Sequence, residues 1–199
     1  MIDTSWLKIS KPGLYVTPAY AHIDPVRAVD TAIITHGHAD HARAGHGHVI
    51  ATPETLAIMS ARYGANFAAQ QTALPYNQQL MLGDVNVKLI PAGHVLGSAQ
   101  IVLEYANTKI IAAGDYKRRS DPTCRPFQVE HCDVFITEAT FGLPVFAHPD
   151  PETQIKKLLE VQHLFPERSI IIGAYSLGKA QRLIALLREA GYDETIFIH

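Results

Sequence analysis

Thr31-Ala32-Ile33-Ile34-Thr35-His36-Gly37-His38-Ala39-Asp40-His41 joins a short apolar run to four metal-ligand side chains within six residues. The β-branched run predicts a buried strand, so the cluster sits just past a strand end. In an extended segment alternate side chains share a face. His36 and His38 therefore grip one metal ion, while the chain turns to present Asp40 and His41 to a second. Gly37 and Ala39 are small enough to allow that approach. Imidazole and carboxylate together suit zinc, or manganese and iron where oxygen dominates, and leave positions open for water. Three histidines and an aspartate at this spacing rarely arise on a merely solvated loop.

Two ions need more ligands than four side chains supply, and the ends of other strands should provide them. His94, in Pro91-Ala92-Gly93-His94-Val95-Leu96-Gly97-Ser98, is flanked by glycines just past an apolar run and fits the first ion. Asp115, in Ile110-Ile111-Ala112-Ala113-Gly114-Asp115, again ends an apolar run, where one carboxylate can bridge two ions.

Around these segments the pattern from Leu14 to about Ala139 is mostly β. Strands are predicted at Leu14–Thr17, Thr31–Thr35, His48–Ala51, Val85–Pro91, Gln100–Tyr105, Lys109–Ala113 and Asp133–Thr137. Thr52-Pro53 before an apolar-periodic run, and Gly64 after it, predict a helix over Pro53–Tyr63. Beyond Thr140 the prolines 144, 149 and 151 mark a connection, and helix and strand then alternate. Asp150-Pro151 opens a helix with Ile155, Leu158, Leu159 and His163 on one face. Ser169–Ala174 reads as a buried strand, a third helix runs to Gly191, and Ile196–His199 reads as a last strand.

Composition bounds the class. Of 199 residues 47% are hydrophobic and 18% charged, which is ordinary globular material. No apolar run approaches the roughly 20 residues of a membrane helix, and the first residues lack a secretory pattern, so a cytoplasmic protein is expected. Cys124 and Cys132 lack ligand spacing and read as partly buried thiols. The net charge of -2 gives no electrostatic footprint of nucleic-acid binding and alone argues mildly against a nuclease. The outlier is histidine, with eleven in the chain and five between His36 and His48.

In order and context, the segments carrying His36 to His41, His94 and Asp115 resemble the second, third and fourth motifs of the metallo-β-lactamase superfamily. That resemblance implies an α/β (α+β) fold. Residues 1–140 would be the N-terminal part of an αββα sandwich, and 141–199 the start of an α/β β-CASP subdomain. It implies that His36, His38 and His94 hold one Zn2+, that Asp40 and His41 hold another, and that Asp115 bridges them, with Mn2+ as the alternative metal. Two ions roughly 3.5–4 Å apart would activate a water for in-line attack at phosphorus, with Asp40 and Asp115 in the catalytic set. Asp24, in Ile23-Asp24-Pro25, matches the first motif and would support the second ion from behind. No superfamily motif places ligands at His46 or His48, which read as bystanders.

Substrate class rests on other residues, because the fold serves many hydrolases. Thr137-Glu138-Ala139-Thr140-Phe141-Gly142 resembles the segment that opens the β-CASP region of nucleic-acid-cutting members. Glu138 would there help orient a later histidine near the active centre. Gly173-Ala174-Tyr175-Ser176-Leu177-Gly178-Lys179-Ala180-Gln181-Arg182 resembles the strand-turn-helix that follows, and Lys179 would favour a phosphate. Lys117 and Arg118, with Arg119 and Arg125, offer a phosphate-binding strip after Asp115.

Taken with Phe141-Gly142-Leu143-Pro144, the whole pattern is similar to bacterial DNA ligase-associated exonucleases. That similarity implies a DNA exonuclease of repair, with nucleic acid as substrate and a DNA ligase and helicase as pathway partners. Relatives of that branch include messenger-RNA 3′-end cleavage factors, so RNA 3′-end processing stays open. A glyoxalase II-like thioester hydrolase would use the same ligands, and a non-catalytic nucleic-acid-binding scaffold is the third alternative. The branch's later histidine motifs would fall beyond His199, so a fragment of a longer protein, inactive alone, is expected.

Overall fold

The computed structural model describes residues 2–198. The chain divides into two units, Met1–Glu138 and Ala139–His199.

The first unit contains two sheets. One has six strands in spatial order β1 (Leu7–Ile9), β2 (Leu14–Val16), β3 (Ala21–Ile23), β4 (Thr31–Ile33), β5 (His46–Ala51) and β6 (Ala68–Ala73). The other has five, in the order β11 (Val134–Ile136), β10 (Thr108–Ala112), β9 (Ala99–Tyr105), β8 (Val85–Pro91) and β7 (Gln79–Leu82). β3 to β6 pair in parallel, as do β10 and β11.

Apolar side chains from both sheets share one core, including Ile33 and Ile50 from the first and Val87, Leu89, Ile101, Leu103 and Ile110 from the second. β8 shows the reason in its sequence: Val85, Val87 and Leu89 point inward, while Asn86 and Lys88 alternate outward. The helix α1 (Pro53–Tyr63) covers the opposite face of the first sheet. There Ala32, Ile34, Val49 and Ala51 meet Leu56, Met59 and Phe67. Residues 32–34 and 49–51 are thus buried on both faces of the sheet, which explains these unbroken apolar runs. α1 occupies the residues expected of it. The Thr52 hydroxyl accepts from the Thr55 N–H at 3.2 Å, Pro53 opens the first turn and Gly64 closes the last.

The outer face of the second sheet carries an ion network. Lys88 Nζ donates to both oxygens of Glu130 at 2.8 and 2.7 Å, and Lys109 Nζ reaches Glu130 at 3.0 Å and Glu104 at 2.8 Å. Burial pushes the Glu130 carboxyl up, but the two lysines outweigh it and hold it below the ordinary range. A depressed carboxyl stabilises the fold above its unfolded value of about 4.3 and loses that contribution as pH falls through the lower folded value. The drop in urea midpoint from pH 7 to pH 3 is therefore expected to be smaller in Glu130→Gln than in the parent. Equal drops would mean that the network contributes nothing.

β1, β3, β6 and β7 are absent from the sequence expectation. β6, Ala-Ala-Gln-Gln-Thr-Ala, has little intrinsic strand character and exists because it pairs with β5 from His46↔Ala68 to Ala51↔Ala73. β5 itself starts at His46, two residues earlier than expected.

The second unit contains α2 (Pro151–Leu164) and α3 (Lys179–Glu189). Asp150 caps α2 by accepting from the Thr153 N–H at 2.8 Å. Among the described residues Ile155 and Leu187 are the buried ones of these helices. The strands expected at 169–174 and 196–199 do not form among the described residues. A strand requires a neighbour's N–H and C=O groups, and neither segment pairs with one; Ile171 is 94% exposed. His199 lies outside the described residues. Among those residues no helix is long and apolar enough to cross a membrane.

Candidate metal centre

The buried ends of β4, β8 and β10 deliver the predicted ligands to one place. His36 is fully buried, and its Nε2 lies 3.0 Å from His38 Nδ1. His94 Nε2 approaches the same His38 nitrogen at 3.2 Å. Asp115 faces this trio through Oδ2, 3.9 Å from His36 Nε2 and 3.6 Å from His94 Nε2. Its other oxygen, Oδ1, lies 3.5 Å from His41 Nε2. One carboxylate thus faces two groups of imidazoles. Asp40 is exposed, with Oδ2 3.8 Å from His41 Nε2.

Asp24 lies behind these groups. Its Oδ2 accepts from the Thr35 hydroxyl at 2.6 Å and bonds His41 Nδ1 at 2.8 Å, while Oδ1 accepts from the Thr35 N–H at 2.8 Å. Both oxygens are therefore committed. Although Asp24, His36 and His41 offer atoms within 4.8 Å of one another, Asp24 reads as an orienting group. A proton on His41 Nδ1 serves that bond and leaves Nε2 with its lone pair toward Asp115 and Asp40. Asp24 adopts φ +41, a left-handed conformation that aspartate tolerates better than most residues.

Thr35 bonds two of the residues at the centre, and sequence reasoning passed over it. Its single hydroxyl proton goes to Asp24, so its oxygen accepts from His36 Nδ1 at 3.0 Å. That fixes the tautomer with a bare Nε2 pointing at His38. The signal was a hydroxyl next to the first histidine, and a strand-end threonine looks like any other. Thr35→Val is expected to weaken zinc affinity roughly 10–100-fold, the usual cost of losing such an outer partner. A competition titration with a chromophoric chelator measures it; unchanged affinity would remove Thr35 from the centre.

The donors fit a metal ion. Burial, reinforced by the neighbouring imidazoles, pushes the protonation of His36 far below its ordinary range. Burial, then the charges of His38, Lys117 and His41, takes His94 down to about 4. Burial raises the Asp115 carboxyl, and Glu138 and Asp40 add to that against the pull of His41. For His41, burial opposes a proton, but the bond and charge of Asp24 outweigh it and raise the pKa. Two imidazoles that disfavour a proton, His36 and His94, converge on the His38 nitrogen, and the Asp115 carboxylate faces all three. Donors about 2.0–2.1 Å from a tetrahedral zinc stand about 3.3–3.4 Å apart. The separations of 3.0 and 3.2 Å are close to that.

The remaining predicted residues divide. Glu138 follows β11, and its charge acts on both His94 and Asp115. The Lys117 ammonium also acts on His94 but is paired with buried Asp121. Arg118 is exposed. Lys179 opens α3 in the second unit, with Nζ 4.5 Å from the Tyr175 ring centroid. His46 and His48 lie on β5. His48 Nε2 bonds the Thr72 hydroxyl at 2.8 Å, and His46 Nδ1 accepts from the Val29 N–H at 3.3 Å. Arg62, which sequence reasoning also passed over, donates to the Gly37 carbonyl at 2.7 Å and so clamps the histidine loop to α1.

Residues 3–173 match the family profile described as the metallo-beta-lactamase superfamily. Among curated proteins the chain is 30% identical over 182 residues to a probable DNA ligase of Opitutus terrae, covering 89% of this chain and 18% of that protein. It is 28% identical over 213 residues to the endoribonuclease ysh-1 of Neurospora crassa, covering 89% and 25%. It is 26% identical over 184 residues to an RNase J-like protein of Methanocaldococcus jannaschii, covering 81% and 44%. The chain spans less than half the length of each of these relatives. A solved structure of a protein of unknown function from Enterococcus faecalis shares the fold, with a TM-score of 0.53 at 16% identity over 86% of this chain and 52% of that one.

Proposed function

Because this chain belongs to the metallo-β-lactamase superfamily, we propose that its histidine–aspartate centre holds two zinc ions and hydrolyses phosphodiester bonds of nucleic acid. Asp115, with one oxygen toward His36 and His94 and the other toward His41, carries the reading of a two-ion site. Similarity to an endoribonuclease and to an RNase J-like protein over most of the chain supports a polynucleotide as substrate. Similarity to a probable DNA ligase favours DNA; the setting proposed with it is repair in the cytoplasm, beside a ligase and a helicase. The endoribonuclease relatives favour RNA as the second reading.

His36, His38 and His94 would hold the first ion, Asp40 and His41 the second, with Asp115 between them. Bound zinc supplies a hydroxide near neutral pH and polarises a phosphoryl oxygen. Manganese suits the more oxygen-rich half of the donor set. The protein's own residues do the positioning. Asp24 and Thr35 keep the proton on the outer nitrogens of His41 and His36, so that both present lone pairs inward. Lys117 and Arg118 follow Asp115 by two and three residues and would contact the phosphate chain. Glu138 adds a carboxylate whose field favours a proton on His94 and Asp115.

The test is metal analysis together with cleavage of end-labelled single- and double-stranded DNA and RNA, before and after chelation. Zinc bound at two per chain, with cleavage lost on chelation and restored by zinc or manganese, is the expected result. Hydrolysis of S-lactoylglutathione alone, or no cleavage of any polymer by metal-loaded protein, overturns the reading.

A further inference from the structure

The helix α1 touches both loops that carry the first-ion histidines, one toward each of its ends. Near its C-terminal end Arg62 donates to the Gly37 carbonyl at 2.7 Å, and Gly37 lies between His36 and His38. Ile58 packs so close that a Cβ on Gly37 would stand 2.8 Å from Ile58 Cγ2. At the N-terminal end the Thr52 and Thr55 hydroxyls donate to the Gly97 carbonyl at 2.7 and 3.0 Å. A Cβ on Gly97 would stand 2.8 Å from both Glu54 Cβ and the Thr55 nitrogen. Gly97 is tied in turn to His94 by a closed loop: the Ser98 hydroxyl accepts from the His94 N–H at 3.0 Å, and the Ser98 N–H donates to the Val95 carbonyl at 2.9 Å.

Helical spacing explains why one helix reaches both loops. Thr55, Ile58 and Arg62 stand at i, i+3 and i+7, which is a single stripe. At 1.5 Å per residue the ends of that stripe are roughly 10 Å apart along the axis. Leu56 and Met59, on the neighbouring stripe, are buried against Ala32, Ile34 and Val49 of the first sheet, so the helix itself is held in place. The loops, by contrast, spring from different sheets. One backbone bond joins them directly, from the Ala99 N–H to the Thr35 carbonyl at 2.8 Å. A single bond is a pivot, and α1 gives each loop a second attachment.

Resting on the two-ion reading above, we propose that α1 is a strut that sets the separation of the two histidine loops, with Arg62, Thr52 and Thr55 as its positioning residues. What these side chains hold is backbone rather than a donor atom. The separation they set is the one the first ion reads. His38 Nδ1 stands 3.0 Å from His36 Nε2 on its own loop and 3.2 Å from His94 Nε2 on the other.

Titration of the metal-free protein with Co2+ tests the strut, because the visible bands of that ion report coordination geometry as well as occupancy. Arg62→Met, at an exposed position, is expected to weaken the first ion about tenfold, the low end of the cost of losing an outer support, and to dim the tetrahedral bands. Thr52→Val/Thr55→Val, which removes both hydroxyls at constant shape, should do the same. Thr52→Ser/Thr55→Ser keeps both hydroxyls and should stay at the parental value. A strut works only while both ends hold, so joining Arg62→Met to the valine pair should cost little more than about tenfold, against the roughly hundredfold of independent sites. A further check does not depend on the threonines. Gly37→Ala drives a methyl into Ile58 and should weaken the ion as Arg62→Met does, and Gly37→Ala/Ile58→Ala, which gives the space back, should restore it. Parental affinity in both releases, a hundredfold loss in their combination, or no recovery with Ile58→Ala overturns the strut, and leaves the centre standing where the parent binds cobalt. A parent that takes up no cobalt overturns both.

Discussion

Replacing His38 with alanine is expected to abolish turnover, by at least about 10³-fold, while the metal-free fold keeps its thermal midpoint. His38 Nδ1 is the atom that both His36 Nε2 and His94 Nε2 approach, at 3.0 and 3.2 Å, so its loss opens the first group at its middle. Removing an outer partner of a ligand costs roughly 10–100-fold, and removing a ligand itself costs more. The side chain is only half-buried and packs no core cluster, which is why stability should be spared. Metal content per chain and turnover on labelled oligonucleotides are the two measurements. A His38→Ala protein that retains zinc and parental activity would sink the assignment of the centre.

The largest structural effect should come from Gly114→Ala. Gly114 turns the end of β10 toward Asp115 at φ +58. A Cβ there would lie 2.7 Å from both Cβ and Oγ1 of Thr35. The left-handed conformation costs a non-glycine residue roughly 1–2 kcal/mol, and overpacking about 1–3 kcal/mol more. At roughly 2–4 °C per kcal/mol for a domain of this size, the thermal midpoint should fall by about 5–15 °C. The damage should also reach the metal, because Thr35 holds Asp24 and His36 and cannot move without them. A scanning calorimetry trace within 2 °C or so of the parent would show that Thr35 yields freely and that this contact is not rigid.

The side chains that the structure brings together, His36, His38, His41, His94 and Asp115, were legible from short spacings. Two pairs of donors sit within six residues, and His94 and Asp115 each follow an apolar run that announces its own strand. Beyond Asp24, what positions those side chains was not legible. Thr35 and Arg62 make bonds to Asp24 and Gly37 that cross the fold, and neither residue type stands out in its own neighbourhood. The same divide runs through the fold. α1 has a hydroxyl cap, a proline and a terminal glycine, so its ends are written in the chain. β6 has only alanines, glutamines and a threonine, and its partner β5 makes it a strand. Ser169–Ala174 shows the converse, a run apolar enough for a strand that has no ladder among the described residues.

Arg62 on the Gly37 carbonyl, Ser98 beneath His94 and Thr35 beneath His36 have a joint consequence. These bonds are made within the protein, so the donor atoms converge without needing an ion to gather them. In zinc fingers the ion and the folding of the chain are one event. Here little conformational entropy remains to be lost when an ion arrives. Exchanging one divalent cation for another should therefore proceed as substitution on a rigid template, governed by ion size and ligand preference rather than by the cost of reordering loops.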